Sequence, residues 1–210
     1  MSILSRLTST MRRMARGAHA IAKDRSGVAA IEFAFVVPVL LCMYLITMEA
    51  SQGIEVNRKV SRTGSSVADL ITQQSSIQKS EVIAILKIGE AIIQPYNRSK
   101  PQLEITAIKL GTESTPVAKV DWSLRLDKNG NVEKVLPKGT VVTDRQLDRI
   151  RVAGAYYIRV SSNLDYDPVI TWNPDGASMG LLSAFNDIQM GETFYLRPRI
   201  STTIPCSDCP

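Results

Sequence analysis

Two cysteines near the end of the sequence are the first candidates for chemistry. In the motif PCSDCP, Cys206 and Cys209 have the C-x-x-C spacing found in redox, haem-attachment and metal-binding motifs. No histidine follows, as c-type haem attachment requires, and two sulfurs alone do not make a structural zinc site. A catalytic thiol pair usually starts a helix, whereas prolines flank this one. A local disulfide is therefore favoured over thiol exchange, and its short ring would shape the terminus rather than stabilise a domain.

Other residues with chemical potential are few. The only histidine is His19, so the chain beyond it has no histidine-dependent triad and none of the common histidine-containing zinc sites. Asp165 and Asp167 alternate at a strand end and could form a weak cation site, although two solvated carboxylates are favoured. No Gly-rich phosphate loop is present. The sequence predicts no catalytic, cofactor-binding or metal-ligating residue and therefore a protein that is not an enzyme.

The net positive charge of the chain is confined to its first residues. The whole sequence has 25 basic and 20 acidic side chains, a net charge of +5, and residues 1–26 alone have six basic side chains and one acidic one. The rest of the chain is therefore neutral. A basic leader followed by a neutral body is typical of membrane orientation, and it argues against nucleic-acid binding.

An apolar run follows this leader. It extends over the 21 residues from Val28 to Met48, and a helix of that length spans ~31 Å, close to the hydrocarbon thickness of a bilayer. The run is too long for a removable secretory signal and lacks a small-residue cleavage site after it. We expect one transmembrane helix over residues 28–48, with Pro38 tolerated inside it. The basic leader predicts a cytoplasmic amino terminus and an external body.

Glu32 is a carboxylate within the first turns of this apolar run. An acid at mid-bilayer costs roughly 2.5 to 3.5 kcal/mol, and less near the edge, so one interpretation is a side chain that reaches the interface. The alternative begins with Gly27, the small residue before the run. Cleavage after Gly27 would create an α-amino group at Val28, and this amine could offset Glu32 of a neighbouring copy in a staggered bundle.

The segment GVAAIEFAFVVPVLL resembles the TadE-like pseudopilins of bacterial tight-adherence (Tad, or Flp) type IV pilus systems. The resemblance implies cleavage between Gly27 and Val28 by a prepilin peptidase, and a role for Glu32 and Phe33 in assembly. It also implies other Tad pilins, the Tad secretion platform and the inner membrane as partners. Major Flp pilins usually have Glu-Tyr and are much shorter, so Phe33 and the extra length argue against a shaft subunit.

Beyond the membrane segment, residues 49–76 could continue the helix as a stalk, with a bend or break near Gly64. Residues 77–210 form the external domain. Its first part, SSIQKSEVIAILKIGEAIIQP, predicts a second helix that Ser80 caps and Pro95 ends, and whose apolar face packs on a sheet.

Alternation of apolar and polar residues predicts strands over 102–110, 119–126, 155–164 and 193–204. Asn129-Gly130 predicts a two-residue hairpin turn, residues 143–154 are ambiguous between a short helix and a loop, and WNPDGASMG predicts a surface turn. Helices followed by antiparallel strands give an α+β class: a transmembrane helix and stalk, then a small pilin-like domain with a helix packed on an antiparallel sheet.

Three functions are compatible with this organisation. The favoured one is a non-enzymatic minor pilin of a Tad-type pilus. It would be a single-pass protein of the inner membrane with its bulk in the periplasm, and could also enter the pilus. The alternative is an uncleaved single-pass envelope scaffold that recruits secretion or pilus components. The third, a periplasmic thiol oxidoreductase, would need an activity that is lost in Cys206→Ser, and we expect none.

Overall fold

A computed structural model describes residues 26–169 and 188–209 of the 210-residue chain. The leader, including His19, and the turn expected in WNPDGASMG lie outside the described residues. The chain divides into two units between Thr47 and Met48. The helices are α1 (Ser26–Thr72), α2 (Lys79–Ile92) and α3 (Arg145–Arg149). The strands are β1 (Gln102–Leu110), β2 (Ala118–Leu126), β3 (Val132–Glu133), β4 (Tyr156–Asp165) and β5 (Gln189–Leu196).

Helix α1 runs without a break through Gly64, so the bend or break expected there is wrong. A Cβ atom at Gly64 would lie 2.8 Å from Ser162 Oγ and 2.9 Å from a ring carbon of Phe194. The absence of a side chain at Gly64 therefore lets the helix lie close to the sheet. Packing against β4 and β5 outweighs the low helix propensity of Gly64.

Helix α2 begins two residues earlier than a cap at Ser80 would place it, so the expectation that Ser80 caps it is wrong. The N-cap is Gln78, whose backbone N–H donates a 2.8 Å hydrogen bond to Glu81 Oε2. Glu81 also places a negative charge in the first turn, where the helix dipole favours it. Val82 and Leu86 are buried on the side of α2 that faces the sheet. The expected packing of this helix on the sheet is confirmed.

The five strands form one antiparallel sheet in the order β3-β2-β1-β4-β5. The α+β class and the antiparallel sheet are thus confirmed, and β1 has the predicted bounds. The strand predicted over 193–204 is wrong in its bounds, because β5 begins at Gln189 and ends at Leu196. Pro198 has no N–H group to donate to a ladder. The chain after β5 leaves the sheet, and Arg199 N donates to Thr72 O at the end of α1.

The turn between β2 and β3 is longer than the predicted two residues. Leu126 pairs with Val132, so the five residues 127–131 form the loop. The Asp127 carboxylate accepts hydrogen bonds from the backbone of Asn129 and Asn131, and these bonds, that of Asn131 above all, lower the pKa of Asp127. Gly130 has φ of 84°, which glycine adopts without strain. The hairpin is present as expected, with an aspartate-centred loop in place of a tight turn.

One face of the sheet carries the main core. Side chains of α2 and of the second half of α1, the part assigned to a stalk from the sequence, pack there on β1, β2 and β4. The core residues of the two helices are Val67, Ala68, Ile71, Val82, Ile85 and Leu86, and the strand residues they meet include Leu103, Ile105, Leu124, Ile158 and Val160. Helix α1 thus joins the main core from Val67 onward, and its earlier residues Val56 and Val60 are buried in a smaller cluster with Ile93, Leu164 and Tyr166.

The opposite face is divided between a polar network and a smaller core. Glu104 accepts from Arg125 at 2.9 Å and from Arg159 at 2.8 Å across three strands. Further along, the ambiguous segment 143–154 forms the short helix α3, and Leu147 of α3 packs into the smaller core. This segment covers part of a face that would otherwise expose Ile108, Leu110 and Val120.

Candidate functional site

The first two turns of α1 bring the four predicted processing and assembly residues together. Gly27, Val28, Glu32 and Phe33 are all exposed, and Phe33 is 69% accessible. A Cβ atom at Gly27 would meet nothing within 4 Å. Val28 and Glu32 are four residues apart, so they lie on the same side of the helix, one turn from each other. Glu32 forms no ion pair among residues 26–169 and 188–209.

The helix that follows these residues has the length and composition to cross a membrane. It is the one helix of residues 26–169 and 188–209 that passes this test, and none of its most apolar stretch is buried within the chain. Large side chains such as Phe35, Leu40 and Tyr44 are more than half accessible. An apolar surface this extensive requires a lipid or protein environment.

Glu49 was not singled out by the sequence analysis. It is fully buried, and its Oε1 accepts a 2.5 Å hydrogen bond from Tyr166 and a 3.0 Å bond from Val169 N. Burial raises the pKa of the Tyr166 hydroxyl, and the bond to Glu49 raises it further. Tyr166 in turn stacks on Tyr96, with ring centroids 5.9 Å apart. The hydrogen bonds of Glu49 therefore connect α1, at a point just beyond the apolar run, to the residues that follow β4.

One signal in the sequence could have found Glu49. It adjoins the apolar run at one end as Glu32 does at the other, and an acid in that position either reaches water or pairs with a hydrogen-bond donor. The partner itself was not predictable, because Tyr166 lies 117 residues further along the chain.

The C-x-x-C pair forms the expected disulfide between Cys206 and Cys209. Cys209 is 2% accessible and belongs to the main core. The neighbouring Asp208 Oδ1 accepts a 2.8 Å hydrogen bond from Lys79 N, and Ile77 N donates to Pro205 O at 3.1 Å. The disulfide thus closes a terminal segment that is attached at the connection between α1 and α2.

The same terminal segment completes the hydrogen bonding of two buried rings. Trp122 Nε1 donates to Ile204 O at 2.8 Å, and the Tyr156 hydroxyl donates to the same oxygen at 3.0 Å. Burial is the largest cause that raises the pKa of Tyr156, and the charge of Asp121 adds to it. The backbone at Ile204 is therefore a structural acceptor for β2 and β4 together.

The arrangement offers little to a metal ion. Among the described residues, one group has three possible ligands close together, namely Cys206, Asp208 and Cys209. Both sulfurs are joined in the disulfide, and a metal would need them as thiolates. Of the acidic pair predicted as solvated or as a weak cation site, Asp165 forms an ion pair with Lys128, and Asp167 N donates to the Tyr96 hydroxyl.

Comparison with known proteins identifies one region of the chain. A family model described as "TadE-like protein" matches residues 27–68. No curated protein and no solved structure matches the chain. The matched region contains the four predicted processing and assembly residues, and it also includes Glu49 and Gly64. The resemblance stated from the sequence is confirmed over this region.

Proposed function

We propose, from the TadE-like character of residues 27–68, that this chain is a minor pilin or pseudopilin that takes part in assembling a Tad-type (Flp) type IV pilus. The observation that carries the proposal is the exposed apolar helix with Glu32 one turn from Val28. The chain would act by insertion and association rather than by catalysis.

Processing is the first step of this proposal. A prepilin peptidase would cut after Gly27 and leave Val28 as the new amino terminus. The exposure of this segment supports cleavage there. A Cβ atom at Gly27 would meet nothing within 4 Å, so no neighbouring atom would hinder a peptidase at that position. Cleavage would also remove the basic leader and so release the helix from the charge that fixes its cytoplasmic end.

Glu32 would then guide assembly. A carboxylate and an ammonium group are each costly in lipid, and each becomes less costly when the two are paired. Within one chain, an amine at Val28 and Glu32 lie one turn apart along the helix. A neighbouring helix shifted along its axis by about 6 Å, four residues at 1.5 Å each, would bring its amine level with Glu32. Phe33, beside it, would contribute apolar contact area.

The location follows from the same features. The chain would sit in the inner membrane with its amino terminus in the cytoplasm, and residues from about 49 onward would be periplasmic or, after assembly, part of the pilus. The α+β domain would cap, initiate or anchor the fibre. An oxidising compartment is compatible with the disulfide between Cys206 and Cys209.

The mature amino terminus tests the proposal. The full chain is expressed in its native host, extracted from membranes and analysed by intact mass and peptide mapping. We expect a chain that starts at Val28. Gly27→Leu should block processing, whereas Gly17→Leu, a matched glycine change in the leader, should not. A wild-type chain that retains Met1 would contradict the proposal and favour the uncleaved envelope scaffold.

A further inference from the structure

A groove lies beside the first turns of α1 that belong to the second unit. It has a volume of about 290 Å³, and its lining includes Gln52 and Lys59 of α1, residues 95–98 after α2, and Val169 after β4. A volume near 300 Å³ is at the lower end of the range for small-molecule sites. The groove is thus large enough for a small polar group.

The charges of the groove favour an anion. Glu55 and Lys59 form an ion pair of 3.1 Å, and Lys59 Nζ also donates to Gln94 O at 3.3 Å. Arg98 lines the same groove and has no ion pair among residues 26–169 and 188–209. Two cations therefore face one carboxylate, and the guanidinium of Arg98 remains available. Its planar fork matches the oxygens of a phosphate group.

One wall of the groove is held in place before any ligand binds. The Tyr96 ring stacks on Tyr166, and its hydroxyl contacts Ser99 Oγ at 3.2 Å and Asp167 O at 3.3 Å. Tyr166 is itself fastened by Glu49. A wall that is already ordered costs less conformational entropy when a ligand binds.

The position of the groove along the chain indicates which anion is available. Gln52 follows Met48 by four residues, or about 6 Å of helix, and a headgroup layer is roughly 5 to 8 Å thick on each side of a bilayer. Lys59 lies about 16 Å beyond Met48, and its side chain reaches back about one turn to Glu55, so the end of the groove at Gln52 is the part at headgroup depth. Ile54, on the same stretch, is 57% accessible, and Val169 is 39% accessible. Exposed apolar side chains beside cations and a tyrosine are typical of a membrane interface.

We propose that this groove binds the phosphodiester of a phospholipid headgroup, with Arg98 as its main contact and Lys59 as the second cation. The inference rests on the membrane insertion assumed in the proposed function, and it extends that function to the lipid around the helix. The bound headgroup would set the depth of the domain at the membrane surface.

The test uses the full chain in nanodiscs of phosphatidylethanolamine and phosphatidylglycerol. Native mass spectrometry counts the phospholipids that each chain retains after release. We expect wild type to retain one phospholipid, and Arg98→Gln to lower the retained fraction about tenfold, as loss of one charge-assisted contact predicts. Arg98→Lys should lie between the two. Arg145→Gln, at an exposed arginine of α3, should match wild type. Urea unfolding of each variant checks that it folds.

A second arm separates lipid from free anion. Lipid-free protein in detergent is exposed to inorganic phosphate at millimolar concentration. A single phosphate adduct lost in Arg98→Gln, without lipid retention in the nanodisc arm, would overturn the lipid assignment. Equal lipid retention in wild type and Arg98→Gln would overturn the inference as a whole.

The same spectra report the mature amino terminus. If the chain starts at Val28 and Arg98→Gln retains lipid normally, the lipid inference is contradicted and the pilin proposal stands. If the chain keeps Met1 and Arg98→Gln loses lipid, the pilin proposal is contradicted and the lipid site stands.

Discussion

The Tyr166 hydroxyl donates a 2.5 Å hydrogen bond to Glu49 Oε1, and both residues are buried. Glu49 is the first residue after the apolar run, and Tyr166 follows the last residue of β4. This bond therefore joins the beginning of the folded domain to a point 117 residues later in the chain. The backbone N–H of Val169 donates to the same carboxylate.

Removal of this carboxylate should destabilise the domain. Glu49→Ala leaves the Tyr166 hydroxyl and the Val169 N–H without their acceptor, at a cost of about 1–3 kcal/mol in the free energy of unfolding. Urea unfolding of the full chain in mild detergent, followed by fluorescence of buried Trp122, measures it. Glu55→Ala is the matched control on the same helix, because its exposed pair with Lys59 is worth about 0.5 kcal/mol at most. Equal effects of the two changes would contradict the role given to Glu49.

The two glycines of α1 beyond Thr47 should respond to alanine in opposite directions. Gly64→Ala places a Cβ atom 2.8 Å from Ser162 Oγ and 2.9 Å from Phe194, so overpacking should cost about 1–3 kcal/mol of stability. At Gly53 the nearest atoms are 3.9 Å away, an ordinary contact. Gly53→Ala should therefore stabilise the helix by about 0.5–1 kcal/mol. Thermal unfolding of both variants checks the sign, and a stabilising Gly64→Ala would show that the helix and sheet can separate at no cost.

Stability should depend on Asp144 at acid pH. Its Oδ2 accepts from the Tyr195 hydroxyl at 2.7 Å and its Oδ1 from Gln146 N at 2.8 Å, and these bonds, that of Tyr195 first, lower the pKa of Asp144 below its ordinary 3.8. A lowered pKa in the folded state gives stability that is present above pH 3.8 and is lost as the pH falls through the lower folded value.

Asp144→Asn retains a helix cap but cannot titrate. Above pH 3.8 we expect wild type to be more stable than this variant by about 1 kcal/mol, the scale of one lost hydrogen bond, because the single oxygen of Asn cannot accept from both Tyr195 and Gln146. The difference should shrink as the pH falls below 3.8. Urea unfolding across acid pH measures the difference. Tyr195→Phe removes the largest cause of the lowered pKa and should weaken the pH dependence. A difference that stays constant with pH would exclude Asp144 as its source.

Assembly should depend on Glu32 and export should not. Glu32→Ala removes the carboxylate that is proposed to pair with the amine of a neighbouring copy, so we expect normal membrane insertion and leader removal but at least tenfold fewer pili, as loss of one paired charge in lipid predicts. Sheared pilus fractions measure this. Glu55→Ala, another exposed acid of α1, is the control. Normal piliation in Glu32→Ala would instead support a carboxylate that only reaches the membrane interface.

Local sequence patterns predicted the elements of this fold better than their contacts. Strand β1 has the predicted bounds although its alternation is interrupted between Ala107 and Ile108, where the register shifts, because both of its neighbours are long strands. The capping box of α2 could also have been predicted, because Glu81 lies three residues after Gln78. Ser80 was predicted as the cap from its residue type alone. The end of β5 at Leu196 could have been inferred from Pro198, because alternation beyond a proline does not continue a ladder.

Long-range contacts explain the remaining differences. Gly64 looks like a helix breaker within its own segment, and only the Phe194 ring, 130 residues later, shows why glycine is needed there. The same holds for Glu49 and Tyr166. In the processing segment, by contrast, Gly27, Val28, Glu32 and Phe33 lie within seven consecutive residues, so their mutual arrangement on one helix followed from sequence alone.

The hydrogen bonds to the Ile204 carbonyl oxygen constrain when the domain can finish folding during synthesis. This oxygen accepts from Trp122 Nε1 and the Tyr156 hydroxyl, which a ribosome synthesises 82 and 48 residues earlier. A nascent chain that has not yet reached Ile204 leaves Trp122 Nε1 without this acceptor and the Tyr156 hydroxyl with Asp121 alone, and the disulfide cannot yet form. Folding of the domain is therefore completed only after Ile204 has been synthesised, and a product that is truncated before Ile204 would remain a substrate for chaperones and proteases.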